Sequence, residues 1–174
     1  MTQPQIPSLP EALRALADIP IEADGVGLRF LPDFLPTAWM DAWFAELRPR
    51  AGIAAQDFLA FALTGEEEEE CVTFWLARPG VRIEEQPVVA LGPWSMPELL
   101  ASDLAGFLWG IADVLSPDGI DASLETDSNH DLVRVARRFA PTGRRTWTEA
   151  QTAARAEFPD FLDHFARWAP ARQP

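Results

Sequence analysis

The sequence predicts an α+β domain: one mainly antiparallel sheet wrapped by helices, with a helical C-terminal extension. Two β-type runs, at residues 71–77 and 87–92, are rich in β-branched and aromatic residues, and the turn signal Pro79-Gly80 follows the first of them. An amphipathic helix then begins near Asp103 and places its apolar residues on one face. Because a sheet must cover its apolar face, we expect this helix to pack on the sheet that the two runs form.

The segments before the first run carry local signals. Ser8 followed by Glu11 forms a capping-box signature, and leucines then recur at helical spacing, which predicts a first helix ending near Asp18. Residues 19–33 contain two glycines and predict a loop with one short strand. Pro36 is well placed as the first residue of a second helix.

The middle of the chain is less uniform. The second helix carries a broad apolar stripe that includes Trp39 and Trp43, and both rings are predicted to lie in the core. Residues 54–63 are an apolar run too short to assign to helix or strand. Residues 81–86 predict a short return strand, whereas residues 92–97 predict a connecting loop, because two prolines and a glycine interrupt them.

Helical signals dominate the last part of the chain. Asp103 is predicted to cap the helix that follows it, and Trp109 falls off the apolar face of that helix, which predicts a half-exposed ring against the C-terminal extension. Thr146 and Glu149 form a second capping box that opens a later helix. Pro159 is expected to interrupt the path beyond it.

Length and composition favour a single domain. A chain of 174 residues with 48% hydrophobic and 24% charged residues is ordinary for a globular protein with one core. We expect residues 1–7 to form a flexible leader and residues 8–120 to form the α+β domain. Residues 121–174 are expected to form a polar linker and a helical extension packed on the same domain.

Acidic residues outnumber basic ones. The chain has 27 acidic residues and 14 basic ones, and its formal net charge is -13. This excess argues against binding to nucleic acid or to an anionic membrane and favours a protein partner with a basic surface. Residues 1–127 carry 22 acids and 6 arginines, whereas residues 128–174 carry 5 acids and 8 arginines. The basic tail either docks against the acidic body or forms a second contact surface.

The cysteine count and the N-terminal sequence predict a cytoplasmic location. Cys71 is the only cysteine, so no disulfide can form within the chain, and a reducing cytoplasm is expected. The N-terminal residues lack the pattern of a signal peptide, and no apolar stretch approaches the ~20 residues that span a bilayer. We therefore predict a cytoplasmic protein that is a monomer or a weak dimer.

A series of motifs resembles the SUKH superfamily. Thr64-Gly65 precedes a charged stretch, a β run ends in Phe74-Trp75, PVVALG fills residues 87–92, and FLWGIAD fills residues 107–113. The resemblance covers roughly residues 31–115, about half of the chain. It implies an α+β domain that acts by protein recognition, without cofactor or catalysis, as in bacterial immunity proteins that neutralise secreted toxins.

The chain departs from the family pattern in two connectors. Glutamates 66–70 stand where members usually have glycines, and residues 92–96 replace a polar turn. The extension after Ser116 has no counterpart in the family pattern. These departures affect the binding surface more than the fold.

Catalytic and metal chemistry is poorly supported. Nucleophilic catalysis needs a nucleophile, a base and an orienting acid together, yet only His130 and His164 could supply an imidazole base, and neither stands in a suggestive context. Cys71 leads an apolar β run and is predicted to be buried and inert. Three widely separated Cys and His residues do not build a zinc site. We predict no enzymatic activity, no cofactor and no metal.

The partner-binding prediction rests on exposed charge and one aromatic residue. The run of five glutamates forms a solvated loop, an electrostatic docking element or a cation site. Trp94 stands in a loop bracketed by prolines, as either a buried anchor or an exposed hot spot. The predicted partner-binding residues are Glu66, Glu67, Glu68, Glu69, Glu70, Glu84, Glu85 and Trp94.

Two hypotheses about function follow. The first is an immunity protein that masks a cationic toxin domain such as a nuclease. The second is a housekeeping regulatory or scaffold protein of the same fold with no toxin partner. Both need only a complementary surface, so the sequence does not separate them.

Overall fold

One antiparallel sheet organises the chain. The computed structural model describes residues 7–19, 21–23, 26–47, 54–64, 70–93, 95–114 and 127–165. Within them, six strands pair in chain order, each antiparallel to the next. The strands are β1 (Ile21–Ala23), β2 (Val26–Phe30), β3 (Phe58–Thr64), β4 (Glu70–Trp75), β5 (Val88–Leu91) and β6 (Glu98–Ala101). The predicted α+β class with a mainly antiparallel sheet is confirmed.

Helices precede, interrupt and follow the strands. They are α1 (Glu11–Leu16), α2 (Thr37–Leu47), α3 (Leu104–Val114), α4 (Asp127–Phe139), α5 (Trp147–Glu157) and α6 (Phe161–His164). Two single 3-10 turns, Ala55–Asp57 and Ile83–Glu85, lie in connections between strands. The helical C-terminal part that the sequence predicts is present.

Both faces of the sheet are covered. On one face, apolar side chains of α1, α3 and α4, among them Phe107 and Leu132, enclose a core with Phe74 of β4. On the other face, residues of α2 and of the α6 segment, such as Met40 and Phe165, enclose a second core. The central strands β3, β4 and β5 are therefore buried on both sides, between two layers of helices.

A β-bulge lies in the central strand β3. Its pairing with β4 shifts between Ala60 and Ala62, so Phe61 is the extra residue of the bulge. Phe61 and Ala62 consequently both belong to the core on the α1 and α3 side. The ring of Phe61 has no exposed surface, and its centroid lies 4.8 Å from that of Phe74 and 5.7 Å from that of Phe107.

Helix α3 has neighbours beyond the sheet. Asp103 caps it as predicted, because its Oδ1 accepts a hydrogen bond from the Gly106 amide at 2.7 Å. Helices α4 and α5 also pack against α3. Trp109 is therefore buried, and its Nε1 donates to the Ala140 carbonyl at 2.8 Å. The prediction of a half-exposed Trp109 was wrong. The face of α3 that points away from the sheet is covered by the C-terminal helices α4 and α5.

The first helix begins later than predicted. Its N-cap is Pro10, whose carbonyl accepts hydrogen bonds from the amides of Leu13 and Arg14, and no side chain caps it. Ser8 therefore does not form the predicted capping box with Glu11. Glu11 instead forms an ion pair with Arg138 of α4 at 2.9 Å.

Three other local predictions were wrong. Residues 19–33 contain two strands rather than one. Residues 127–130, predicted as polar linker, form the first turn of α4. Trp39 is 36% exposed and stacks on Trp43 with centroids 6.4 Å apart, although Trp43 is buried as predicted. Trp39 lies at the margin of the apolar stripe of α2, where the helix meets solvent.

The predicted return strand at residues 81–86 is a 3-10 turn followed by Gln86. The Arg78 amide donates to Gln86 Oε1 at 3.0 Å, and Gln86 Nε2 donates to the Arg78 carbonyl at 2.6 Å. The side-chain amide of buried Gln86 thus supplies the pair of hydrogen bonds that a neighbouring strand would have supplied.

Helix α5 lies beside strand β6. Thr146 and Glu149 form the predicted capping box at its start, with Thr146 Oγ1 accepting from the Glu149 amide at 3.2 Å and Glu149 Oε2 accepting from the Thr146 amide at 2.8 Å. Further along, Gln151 Nε2 donates to Glu98 Oε1 of β6 at 2.7 Å. The helix covers the outer side of the last strand in the sheet.

Replacing Glu149 by alanine should destabilise the protein at neutral pH and have less effect in acid. The hydrogen bonds from the Thr146 backbone amide and hydroxyl, with a smaller contribution from the Arg145 charge, hold the pKa of Glu149 below its usual value. Its stabilising contribution is therefore present above the unfolded pKa of about 4.3 and is lost as the pH falls through the lower folded value. Urea midpoints of both proteins from pH 7 to pH 3 should converge at low pH. A difference that does not change with pH would contradict a role for the carboxylate charge.

Candidate functional site

Glu70 meets the loop between β5 and β6 at one end of the sheet. Cys71 pairs with Leu91 in the ladder between β4 and β5, so Glu70 lies beside Gly92. A Cβ atom on Gly92 would be 2.6 Å from Glu70 Oε1 and 2.9 Å from its Cγ, which shows how closely the side chain crosses the loop backbone. Ser95 Oγ donates a long hydrogen bond of 3.5 Å to the same oxygen.

This contact joins the described ends of two predicted partner-binding elements. Glu70 is the last residue of the acidic run, and Ser95 directly follows Trp94 in the chain. Met96 of the same loop is 43% exposed. We refer to Glu70, Gly92, Ser95 and Met96 as the Glu70 end of the sheet. It combines a carboxylate with an exposed apolar side chain, as protein interfaces do. The predicted residues Glu66, Glu67, Glu68, Glu69 and Trp94 lie outside the described residues.

Glu84 and Glu85 lie at the opposite end of β4 and β5. They belong to the 3-10 turn that connects these strands, and a strand of six residues separates this turn from Glu70 by about 20 Å. Glu84 forms an ion pair with Arg82 at 3.2 Å, and the Glu85 carbonyl accepts a hydrogen bond from Arg78. The structure therefore places the three described members of the predicted set, Glu70, Glu84 and Glu85, at two ends of the sheet, and a single small loop of a partner does not reach both.

The side chains considered for catalysis do not meet. Cys71 is buried in the sheet, and burial, followed by the neighbouring Glu70 charge, raises the pKa of its thiol far above the ordinary value. The burial of Cys71 agrees with the prediction, and a raised pKa disfavours the thiolate, which is the nucleophilic form of cysteine. His130 and His164 are both exposed, and the His164 ring lies 4.9 Å from the Trp75 ring.

The described part of the chain has neither a metal-binding cluster nor a membrane-spanning helix. There, no group of three or more His, Cys, Asp or Glu side chains is arranged to hold a metal ion. None of the helices in the same residues has the length and apolar character that crossing a membrane requires.

The sequence did not predict one cluster of basic side chains. Arg137 of α4 and the pair Arg144 and Arg145 before α5 line a common cavity. The only sequence signal for this cluster is the net positive charge of residues 128–174. Arg138, by contrast, pairs with Glu11, which is a contact of the kind expected from the first of the two alternatives for the basic tail, docking on the acidic body.

Comparisons of the chain with protein-family models, with curated proteins and with solved structures found no match. The SUKH resemblance therefore stays a prediction from the sequence motifs.

Proposed function

We propose that this chain is a non-catalytic protein-binding domain whose Glu70 end recognises a basic surface of a partner protein. The observation that carries the proposal is the contact of Glu70 with Gly92 and Ser95. This contact brings Glu70, the last residue of the acidic run, together with Gly92 and Ser95, which flank Pro93-Trp94 in the chain. In the proposal, charge and apolar side chains at this end act on the same partner.

The two elements have different physical roles. Exposed carboxylates attract a basic partner over a distance of about one screening length, so they raise the association rate more than they slow dissociation. An apolar or aromatic side chain that becomes buried in the complex mainly slows dissociation. The formal net charge of -13 suits a cationic partner.

The most concrete partner is the cationic domain of a secreted toxin, such as a nuclease, which the chain would mask in the cytoplasm as an immunity protein. The support is the acidic surface together with the SUKH resemblance. A toxin gene directly beside the gene for this chain would separate this role from a housekeeping regulatory or scaffold role, in which no such neighbour is expected.

Replacing Glu66–Glu70 by glutamine should slow association with the toxin domain at least tenfold at low salt. The difference should shrink as ionic strength rises toward ~0.5 M, where the screening length falls to about 4 Å. The dissociation rate should barely change. Trp94→Ala should have the opposite signature, with dissociation about 30-fold faster if the ring contributes about 2 kcal/mol. Stopped-flow or surface-plasmon kinetics at several salt concentrations measure both.

A matched control changes the same charge elsewhere. Five exposed aspartates away from the Glu70 end can be replaced by asparagine in one variant, and its association rate should stay close to that of the wild type. These aspartates are Asp33, Asp41, Asp57, Asp160 and Asp163. If association slows equally in both variants, the net charge of the chain explains the effect and the position of the glutamates does not. A glutamine variant that associates at the wild-type rate at low salt would refute the proposal.

A further inference from the structure

A cavity of about 260 Å³ lies between α3, α4 and the loop that leads into α5. Arg137, Arg144 and Arg145 line it, and Ala112 and Val133 add apolar surface to its wall. Helix α4 and the loop before α5 thus bring three guanidinium-bearing side chains to one concave site. None of these residues belongs to the Glu70 end of the sheet.

Within the described residues, the three arginines differ from two neighbouring arginines in their ion pairing, although the charge of Arg145 acts on Glu149. On the same helix, Arg134 pairs with Asp131 at 2.8 Å and Arg138 pairs with Glu11 at 2.9 Å. In the part of the chain that the structure describes, no ion pair involves the three arginines of the cavity.

Arg144 is held by an aromatic ring instead. Its guanidinium carbon lies 5.7 Å from the centre of the Trp109 ring, and the indole of Trp109 is itself fixed by its hydrogen bond to Ala140. This contact keeps a charged, planar group at the cavity wall without neutralising it.

The two carboxylates of the cavity already bind backbone amides. Asp113 Oδ2 accepts from the Trp147 amide at 3.0 Å, and Glu149 Oε2 accepts from the Thr146 amide at 2.8 Å. Three cationic and two anionic side chains leave one excess positive charge, in a molecule whose formal net charge is -13. Like charges gathered in this way repel one another, and a bound anion removes the repulsion.

We propose that this cavity binds a small, multiply charged oxyanion: a phosphate ester or a polycarboxylate. Guanidinium groups match phosphate and carboxylate oxygens through paired N–H donors, which makes arginine the side chain suited to both. The volume lies just below the 300–1,000 Å³ of pockets for drug-sized ligands, so the ligand is a small molecule.

Calorimetric titration of the full chain with pyrophosphate and with citrate, at constant ionic strength, tests the proposal. We expect one site per chain with a Kd below 1 mM for at least one anion, and at least tenfold weaker binding in an Arg137→Gln/Arg145→Gln double variant. Arg82→Gln/Arg134→Gln is the matched control, because it removes the same charge from exposed arginines that do not line the cavity. Its Kd should stay within twofold of the wild type.

Thermal unfolding supplies a second readout. Without multivalent anions, the cavity double variant should unfold within about 2 °C of the wild-type temperature, because it removes the repulsion among the arginines and also the attraction of Arg145 for Glu149. The better ligand should raise the unfolding temperature of wild type and control but not of the double variant. Tighter pyrophosphate binding assigns the site to phosphate esters, and tighter citrate binding assigns it to polycarboxylates. Absence of binding by both anions, or an equal loss of binding in the control, would overturn the proposal.

Discussion

Replacing Phe61 by alanine should lower the free energy of unfolding by about 3–5 kcal/mol, because it leaves a cavity at the centre of the larger core. The ring has no exposed surface and contacts the rings of Phe30, Phe74 and Phe107. For a chain of this length the unfolding temperature should fall by about 10 °C. Urea denaturation followed by circular dichroism measures the change.

A control distinguishes the loss of packing in the core from the general effect of shortening an apolar side chain. Leu162 of α6 is 61% exposed, and Leu162→Ala should change the free energy of unfolding by less than about 0.5 kcal/mol. Phe61→Leu should recover part of the loss, because the leucine fills part of the cavity. A loss below about 1 kcal/mol for Phe61→Ala would show that the bulge does not place this ring in the core.

The second large effect is expected at Arg78, which ties three parts of the chain together. Its guanidinium donates to the carbonyls of Glu85 and Ser102, pairs with the Glu157 carboxylate and lies 5.0 Å from the centre of the Phe158 ring. Hydrogen bonds to charged groups contribute about 1.5–3 kcal/mol each, and the Arg78 side chain is 25% exposed. We therefore expect Arg78→Ala to cost about 3 kcal/mol, measured by the same denaturation experiment.

Two variants separate the contribution of the guanidinium geometry of Arg78 to stability from the contribution of its positive charge. Arg78→Lys keeps the charge but loses the fork of donors, so it should recover less than half of the loss. Arg82→Ala removes an exposed arginine that pairs only with nearby Glu84 in the described residues, and it should cost less than about 1 kcal/mol. An Arg78→Lys protein as stable as the wild type would contradict the bridging role of the guanidinium.

The elements with local signals could be predicted from the sequence. Strands β4 and β5 carry β-forming residues and end at turn residues, and Asp103 marks the start of α3. Strand β3 could not be assigned, because every residue of 58–63 is buried between two layers of helices and the alternation of a half-exposed strand is lost.

Other predictions were wrong where a contact with a residue distant in sequence determined the local structure. The run at residues 81–86 has the composition of a strand, yet Gln86 pairs with the Arg78 backbone through its side chain. Trp109 lies off the apolar face of its helix and is buried all the same, because helices far along the chain cover it. Neither partner is visible in a window of neighbouring residues.

The two candidate sites depend on packing in the same way. Glu70 meets Gly92 only because Cys71 pairs with Leu91, and a shift of one residue in that register would turn the side chains of β4 to the other face. The arginine cavity needs α3, α4 and the loop before α5 together. Charge composition indicates that basic side chains are available, but only the packed helices show which of them share a site.

The two borders of the sheet limit the ways in which the proposed partner can bind. In the described chain, β1 offers three residues at one border, and at the other α5 lies beside β6 with Gln151 bonded to Glu98. In the described residues, neither border presents a long free row of main-chain donors and acceptors, which disfavours a visiting peptide that would extend the sheet by adding a strand. Under the proposed function, recognition would depend on side chains in connecting loops, which can be exchanged one at a time while the strand pairing stays intact. With such a scaffold, single substitutions in the loops could restore binding after the partner's surface has changed by mutation.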